Sequence, residues 1–290
     1  MRARAAVVGA GAAVTTILSL LVGPAFAVDG NGQNQPIIGD LNGDGRPDRT
    51  ILTGTAPDGT CQASFEKGKP DGTFAAPVVH IIVVPGRTFG PCPDMGVVVN
   101  LTKHPRNELV AASFIGQAPG VNADLLIIRN WQVVDTASAE FQPSLIGTQD
   151  FNGDGYGDIW ESSDQHQAFR TFVSSQGHLV TGPAFFYDVR SSPQVEFARF
   201  DRNRAQDLVT GYLSSRDQPG LPGSNGAGAM VIFGDTGQRV LLEHTFDFVS
   251  LTATPVDVDH DGDLDVQVSG GGLPDRIYLN NGNGHFAPAP

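Results

Sequence analysis

The sequence predicts an all-β chain built from repeated hairpin units. Three observations predict it. A nine-residue Asp/Asn/Gly pattern recurs along the chain, and each copy is flanked by short β-branched and aromatic runs. The composition is turn-rich (36 Gly and 20 Pro in 290 residues), with no long helical periodicity.

The chain opens as an export signal. Arg2 and Arg4 precede an apolar run from Ala5 to Val22, and Ala25-Phe26-Ala27 is an A-x-A cleavage site, so residues 1–27 read as a secretory signal peptide and residues 28–290 as one mature domain. The Val8–Ala13 glycine pattern resembles a dinucleotide fingerprint, but it lies within the signal and no strand–helix unit accompanies it. Removing two arginines and no acid takes the net charge from −13 to −15. Such acidity argues against nucleic acid and anionic membrane surfaces as partners. Cys61 and Cys92 are the only cysteines, and in an exported chain they read as a disulfide that contributes roughly 3 kcal/mol.

The nine-residue pattern stands intact at Asp40–Asp48, Asp150–Asp158 and Asp257–Asp265. Oxygen-bearing side chains fall at positions 1, 3, 5 and 9 and Gly at position 6. This is the arrangement a short loop needs to turn alternate side chains onto a Ca²⁺ ion, which takes six to eight oxygens. The expected side-chain ligands are Asp40, Asn42, Asp44 and Asp48; Asp150, Asn152, Asp154 and Asp158; Asp257, Asp259, Asp261 and Asp265. Position 7 (Arg46, Tyr156, Asp263) would give its carbonyl, leaving the Asp263 carboxylate in solvent. Position 2 (Leu41, Phe151, Val258) is apolar each time and is expected to anchor the loop to the sheet core. The bland alternative is a set of metal-free Asx turns; converging carboxylates without a cation would repel one another. An EF-hand is the rival metal reading. Glu161 stands at position 12 of the second intact loop, but Ile51 and Val268 take that place in the other two and the flanks are strands, so Glu161 is expected to be a solvated strand residue.

Two degenerate copies fill the gaps. Asn100–Glu108 carries His104 at position 5, and Asp201–Asp207 reads as two residues short, with Arg202 or Arg204 either standing in for the cation or simply exposed on a turn. The starts at 40, 100, 150, 201 and 257 are 60, 50, 51 and 56 residues apart. Each loop sits between two extended runs, such as Val97–Val99 and Leu109–Ala111; a third run follows (Leu125–Ile128, Met230–Phe233), then a looser fourth (Val78–Val83, Val240–Leu242). Four strands per unit at this period predict a β-propeller of about five four-stranded blades.

These units resemble FG-GAP/VCBS repeats, the blades of integrin-alpha-like propellers. The resemblance rests on the Asp-rich loops and on the segment Asn281-Gly282-Asn283-Gly284-His285-Phe286, with Lys69–Phe74 as a second match, and it covers nearly the whole mature chain. It implies Ca²⁺ in the three intact loops and a role in recognition. Integrin-like members usually have seven blades. Five here imply either a small ring or an open array that pairs with another chain.

No catalytic constellation is visible. The seven histidines are scattered without a zinc spacing, and Ser224 lacks the first Gly of a nucleophile elbow. Glu140, Glu161, Asp164, Glu196 and Glu243 are candidate acids without a local signature. Trp131 and Trp160 are read as core residues that could otherwise stack on sugar. The Gly/Pro/Ser-rich stretch Leu213–Ala229 reads as a disordered insertion or a binding loop. The expectation is therefore a secreted calcium-binding module for an extracellular protein or glycan. The alternative is a carbohydrate-active enzyme, a polysaccharide lyase or glycoside hydrolase, on the same scaffold.

Overall fold

The structure is a computed structural model and describes residues 32, 34–55, 60–83, 92–102, 104, 106–114, 123–139, 142–188 and 194–290. The expected signal peptide and Glu140 lie outside the described residues.

Every run expected to be extended is a strand, and the chain folds as five antiparallel sheets of four consecutive strands each. The first sheet holds β1 (Ile37–Gly39), β2 (Asp48–Thr55), β3 (Cys61–Glu66) and β4 (Val78–Ile82). The second holds β5 (Met95–Val99), β6 (Glu108–Phe114), β7 (Ala123–Arg129) and β8 (Gln132–Ser138). The third holds β9 (Leu145–Gln149), β10 (Asp158–Ser163), β11 (Ala168–Ser175) and β12 (His178–Phe186). The fourth holds β13 (Gln194–Ala198), β14 (Asp207–Ser214), β15 (Gly226–Ile232) and β16 (Arg239–Thr245). The fifth holds β17 (Leu251–Val256), β18 (Asp265–Gly270), β19 (Leu273–Asn280) and β20 (Phe286–Pro288). Strand order within each sheet follows chain order, so each sheet is a meander and no strand is exchanged between sheets.

A single meander cannot bury both of its faces, so the sheets stack in chain order. Four apolar cores lie between successive sheets. Leu52 and Ala63 of the first meet Ala111 and Leu126 of the second; Val110 and Leu125 of the second meet Ile159 and Phe172 of the third. Trp160 and Phe169 of the third meet Leu208 and Met230 of the fourth; Val209 and Val231 of the fourth meet Ala253 and Val266 of the fifth. The Cys61–Cys92 disulfide forms within the first of these cores and ties β3 to the segment leading into β5. The first strands β1, β5 and β9 lie side by side and line a cavity of about 650 Å³. Among the described residues no helix is long and apolar enough to cross a membrane.

Candidate metal centre

All five acidic loops are the turn between the first and second strands of a sheet. In the intact loops positions 4 and 6 both adopt the left-handed conformation: Gly43 and Gly45, Gly153 and Gly155, His260 and Gly262. Glycine takes that conformation without steric cost, and His260 is the one side chain forced into it here. The turn aims backbone N–H groups inward. Asp40 accepts from Gly43 N and Gly45 N at 2.7 Å each, and Asp150 from Gly153 N at 2.8 Å and Gly155 N at 3.0 Å. The position 5 carboxylates accept from the position 7 amide in all three loops, at 3.1 Å in Asp44, 2.8 Å in Asp154 and 2.9 Å in Asp261.

Position 9 has a second task that sequence spacing did not reveal. Asp48, Asp158 and Asp265 are buried. One oxygen of each accepts from the position 2 amide (Leu41, Phe151, Val258), at 3.1, 2.7 and 3.0 Å. The other accepts from an amide at the end of the third strand (Gly68, Ser174, Asn280), at 2.9, 2.6 and 2.8 Å. The carboxylate thus clamps the loop to its own sheet. Burial pushes the Asp158 carboxyl up to about 6, against the opposing pull of its hydrogen bonds from Ser174 and Phe151.

The clamp persists in the degenerate loops and corrects their reading. Asp207 accepts from Phe200 N at 2.9 Å and Gly234 N at 3.0 Å. Phe200 is therefore position 2, and the loop is a full nine residues beginning at Arg199 rather than a short one beginning at Asp201. A cation stands at position 1, where a ligand is required. Arg202 and Arg204 are exposed, and the neighbour of Asp201 is the Asn203 amide, at 2.9 Å; the expected arginine substitution is not what the loop uses. In Asn100–Glu108 the buried Glu108 accepts from Leu101 N at 3.1 Å, from Thr102 Oγ1 at 3.0 Å and from Arg129 Nε at 3.0 Å.

Neighbouring loops are also joined. The position 1 carbonyl of one loop accepts from position 8 of the next: Asp40 O from Asn107 Nδ2, Asn100 O from Gly157 N and Asp150 O from Gln206 N, each at 2.8 Å.

Of the expected ligands, Asp257, Asp259 and Asp265 converge as a carboxylate group, their ligand atoms within 4.8 Å of one another. This group could bind a metal ion. The donor set fits a hard cation, and Asp257 Oδ1 is buried without a hydrogen-bond partner. Partial desolvation, together with the charges of Asp261, Asp265 and Asp257, pushes the Asp259 carboxyl above its ordinary range. The other two loops are closed by internal bonds. Asp44 is held by Lys67 at 3.0 Å and Arg46 at 3.3 Å, and the Lys67 hydrogen bond holds its carboxyl below the usual range. Asn42 Nδ2 donates to both oxygens of Asp48 at 2.8 Å, and Asn152 Nδ2 to Asp154 at 3.0 Å. The Asp263 carboxylate, expected in solvent, packs on Gly282, where a Cβ would clash with it; Gly282, in the Asn281–Phe286 turn, has φ +73°.

The described candidate acids do not assemble into a second site. Glu161, expected to be solvated, is instead 1% exposed: it lies on β10, whose six residues are all buried, with Arg170 directly opposite it on β11. Glu243 is held by Arg276 at 2.6 Å. Asp164 is exposed and accepts from Tyr187 OH at 3.3 Å, and desolvation raises the Glu196 carboxyl. Trp160 is core, as expected, and Trp131 is half-buried and stacked on His80 at 4.1 Å. The expected disordered insertion is instead an ordered turn. Gln218 is buried in it and bonded to both backbone groups of Phe186, while Ser224 Oγ accepts from Gln218 N.

A cavity of about 670 Å³ opens between the second and third loops, lined by Thr102, His104, Asn152, Asp154, Tyr156 and Gln176 among others. No known family model matches the chain, and no curated protein matches it.

Proposed function

We propose that this chain is a secreted, calcium-stabilised repeat protein of the FG-GAP/VCBS kind, and that it binds an extracellular protein or glycan. The observation that carries the reading is the convergence of Asp257, Asp259 and Asp265 around an oxygen with no other partner. Ca²⁺ is the ion that suits an all-oxygen set on a flexible hairpin, at an affinity of roughly 10⁻⁴–10⁻³ M that only an extracellular setting would saturate. When bound it supplies charge neutralisation and a crosslink across the hairpin. The Asp40 and Asp150 loops carry the same ligand pattern and would bind after their internal hydrogen bonds open, the Asp40 loop most weakly because Lys67 already neutralises Asp44.

In this reading the five meanders are propeller-type blades, with β1, β5 and β9 innermost. Export is supported by the A-x-A signal and by the disulfide. The described candidate acids are dispersed, Glu243 being held by Arg276 and Asp164 bonded to Tyr187, which favours binding over bond cleavage. We place the ligand in the cavity beside the third loop, where Tyr156 offers an aromatic face and Thr102, Asn152 and Gln176 offer hydrogen bonds.

Electrophoresis of residues 28–290 through gels containing neutral or acidic polysaccharide, with a parallel assay for released reducing ends, tests the role. Retardation without new ends, lost on Tyr156→Ala, supports a binding module. Release of ends would move the assignment to a carbohydrate-active enzyme. Absence of both would leave a protein ligand as the surviving form of the proposal, to be sought with extracellular matrix proteins on a biosensor; no binding there either would overturn it.

A further inference from the structure

Five sheets in a row have four junctions, and the described residues form four apolar cores. Among the described residues no core joins the fifth sheet to the first. The inner sheets are accordingly covered on both faces. In the second sheet Leu126 and Ile128 face the first, while Leu125 and Ile127 face the third. In the fourth Met230 and Ile232 face the third, while Ala229 and Val231 face the fifth.

Among the described residues, the two end sheets each leave one face open. In the first sheet Ile37, Leu52 and Ala63 point into the chain, so the opposite face carries Ile38, Arg49, Ile51, Gln62, Ser64, Val79 and Ile81. None of these is buried, and Ile38, Val79 and Ile81 are 54%, 60% and 51% exposed. In the fifth sheet Ala253, Val266 and Val268 point inward, which leaves Thr252, Thr254, Gln267, Ser269, Ile277 and Leu279 on the far face, none of them buried. Apolar side chains cluster on an open face when something covers it.

We propose that these two faces are the halves of one head-to-tail interface between copies of this chain. Each internal junction sets the trailing face of one sheet on the leading face of the next. Among the described residues one leading face, on the first sheet, and one trailing face, on the fifth, remain unused. Their chemistry is complementary. Ile38, Val79 and Ile81 would meet the Ile277 and Leu279 side, and Arg49, already paired with Glu66 on its own face, would lie toward Asp275 of the second. The contact is heterologous, and two reciprocal junctions would close a dimer. It also lacks the inter-loop bond found at three of the four internal junctions, because position 8 of the first loop is Pro47 and has no N–H to give the preceding carbonyl. Association is therefore reversible and concentration-dependent.

The test is sedimentation of residues 28–290 in calcium from micromolar to near-millimolar concentration. The expected result is a shift from one chain to two, weakened roughly tenfold or more by either Ile81→Asp or Ile277→Asp. Both side chains lie on open faces, so the fold of the single chain survives these changes. Val134→Asp, at an exposed position on β8 of the second sheet, should leave association unchanged. Chains carrying Ser64→Cys should form disulfides with chains carrying Ser269→Cys, and not among themselves. A monomer at every concentration overturns the proposal. So does sensitivity to Ile81→Asp but not Ile277→Asp, which would indicate edge-to-edge pairing of β4. A chain carrying both cysteines that crosslinks internally at high dilution overturns it as well, by showing that the row closes on itself.

Discussion

Replacing Glu108 by Ala isolates the loop clamp from any metal. Asn100–Glu108 has His104 at position 5 and is poorly suited to a cation, yet its position 9 carboxylate is fully buried and accepts from Leu101 N, Thr102 Oγ1 and Arg129. Truncation leaves the buried Leu101 amide without an acceptor, about 1–3 kcal/mol. It strands the Arg129 guanidinium, whose side chain is 30% exposed, so its share is discounted to about 1–2 kcal/mol from that of a fully buried pair. With the lost Thr102 bond the total is about 4 kcal/mol. Glu108→Gln keeps an acceptor and should cost about 1–2 kcal/mol. Urea denaturation of wild type and both variants, each in calcium and in chelator, measures this directly. The cost should be the same in both buffers. A cost below about 1 kcal/mol would refute the clamp; a cost present only in calcium would show that the carboxylate acts through an ion.

Three further predictions follow from the same geometry. Burial raises the Asp207 carboxyl to about 6 from an ordinary 3.8, so the folded state holds its proton where the unfolded chain has released it. Its contribution is fully present below about pH 4 and is lost as pH rises through 6, a fall of about 3 kcal/mol that Asp207→Asn should remove from a stability–pH series. His260→Gly should stabilise by about 0.5–1 kcal/mol in a thermal melt by relieving a left-handed side chain, net of the entropy that glycine adds to the unfolded state. Lys67→Gln frees Asp44 of its 3.0 Å partner, so a calorimetric Ca²⁺ titration should show the first loop binding more tightly than in wild type.

The strands and the loop positions were legible because both signals are local. Turn chemistry and period-two apolar runs announce themselves within ten residues. Where the reading failed, the deciding partner lay on another strand. Glu161 looked solvated because Arg170 is nine positions away in sequence but directly across the sheet. The fourth loop looked short because counting began at its first aspartate. Counting back seven residues from the acid to an apolar position 2 would have found Phe200, as it does Leu41, Leu101, Phe151 and Val258. The open ends were also written in the sequence. Leu125–Ile128 and Ala229–Ile232 are unbroken apolar runs, as strands covered on both faces require, whereas Cys61–Glu66 and Asp265–Gly270 alternate with polar residues, as strands covered on one face do. The convergence of three carboxylates at the last loop, against the self-bonded first and third, depends on which side chains find internal donors, and spacing alone does not carry that.

The most direct test of the central claim is the thermal melt of residues 28–290 in millimolar calcium and in chelator, for wild type and Asp259→Ala. Asp259 is exposed, so its removal deletes a ligand without disturbing the core. One site at tenfold saturation adds about 1.4 kcal/mol, a few degrees for a chain of this size. The account predicts that calcium raises the wild-type midpoint and that Asp259→Ala loses a site's worth of the rise while matching wild type in chelator. No calcium shift, or a shift equally large in Asp259→Ala, would contradict it.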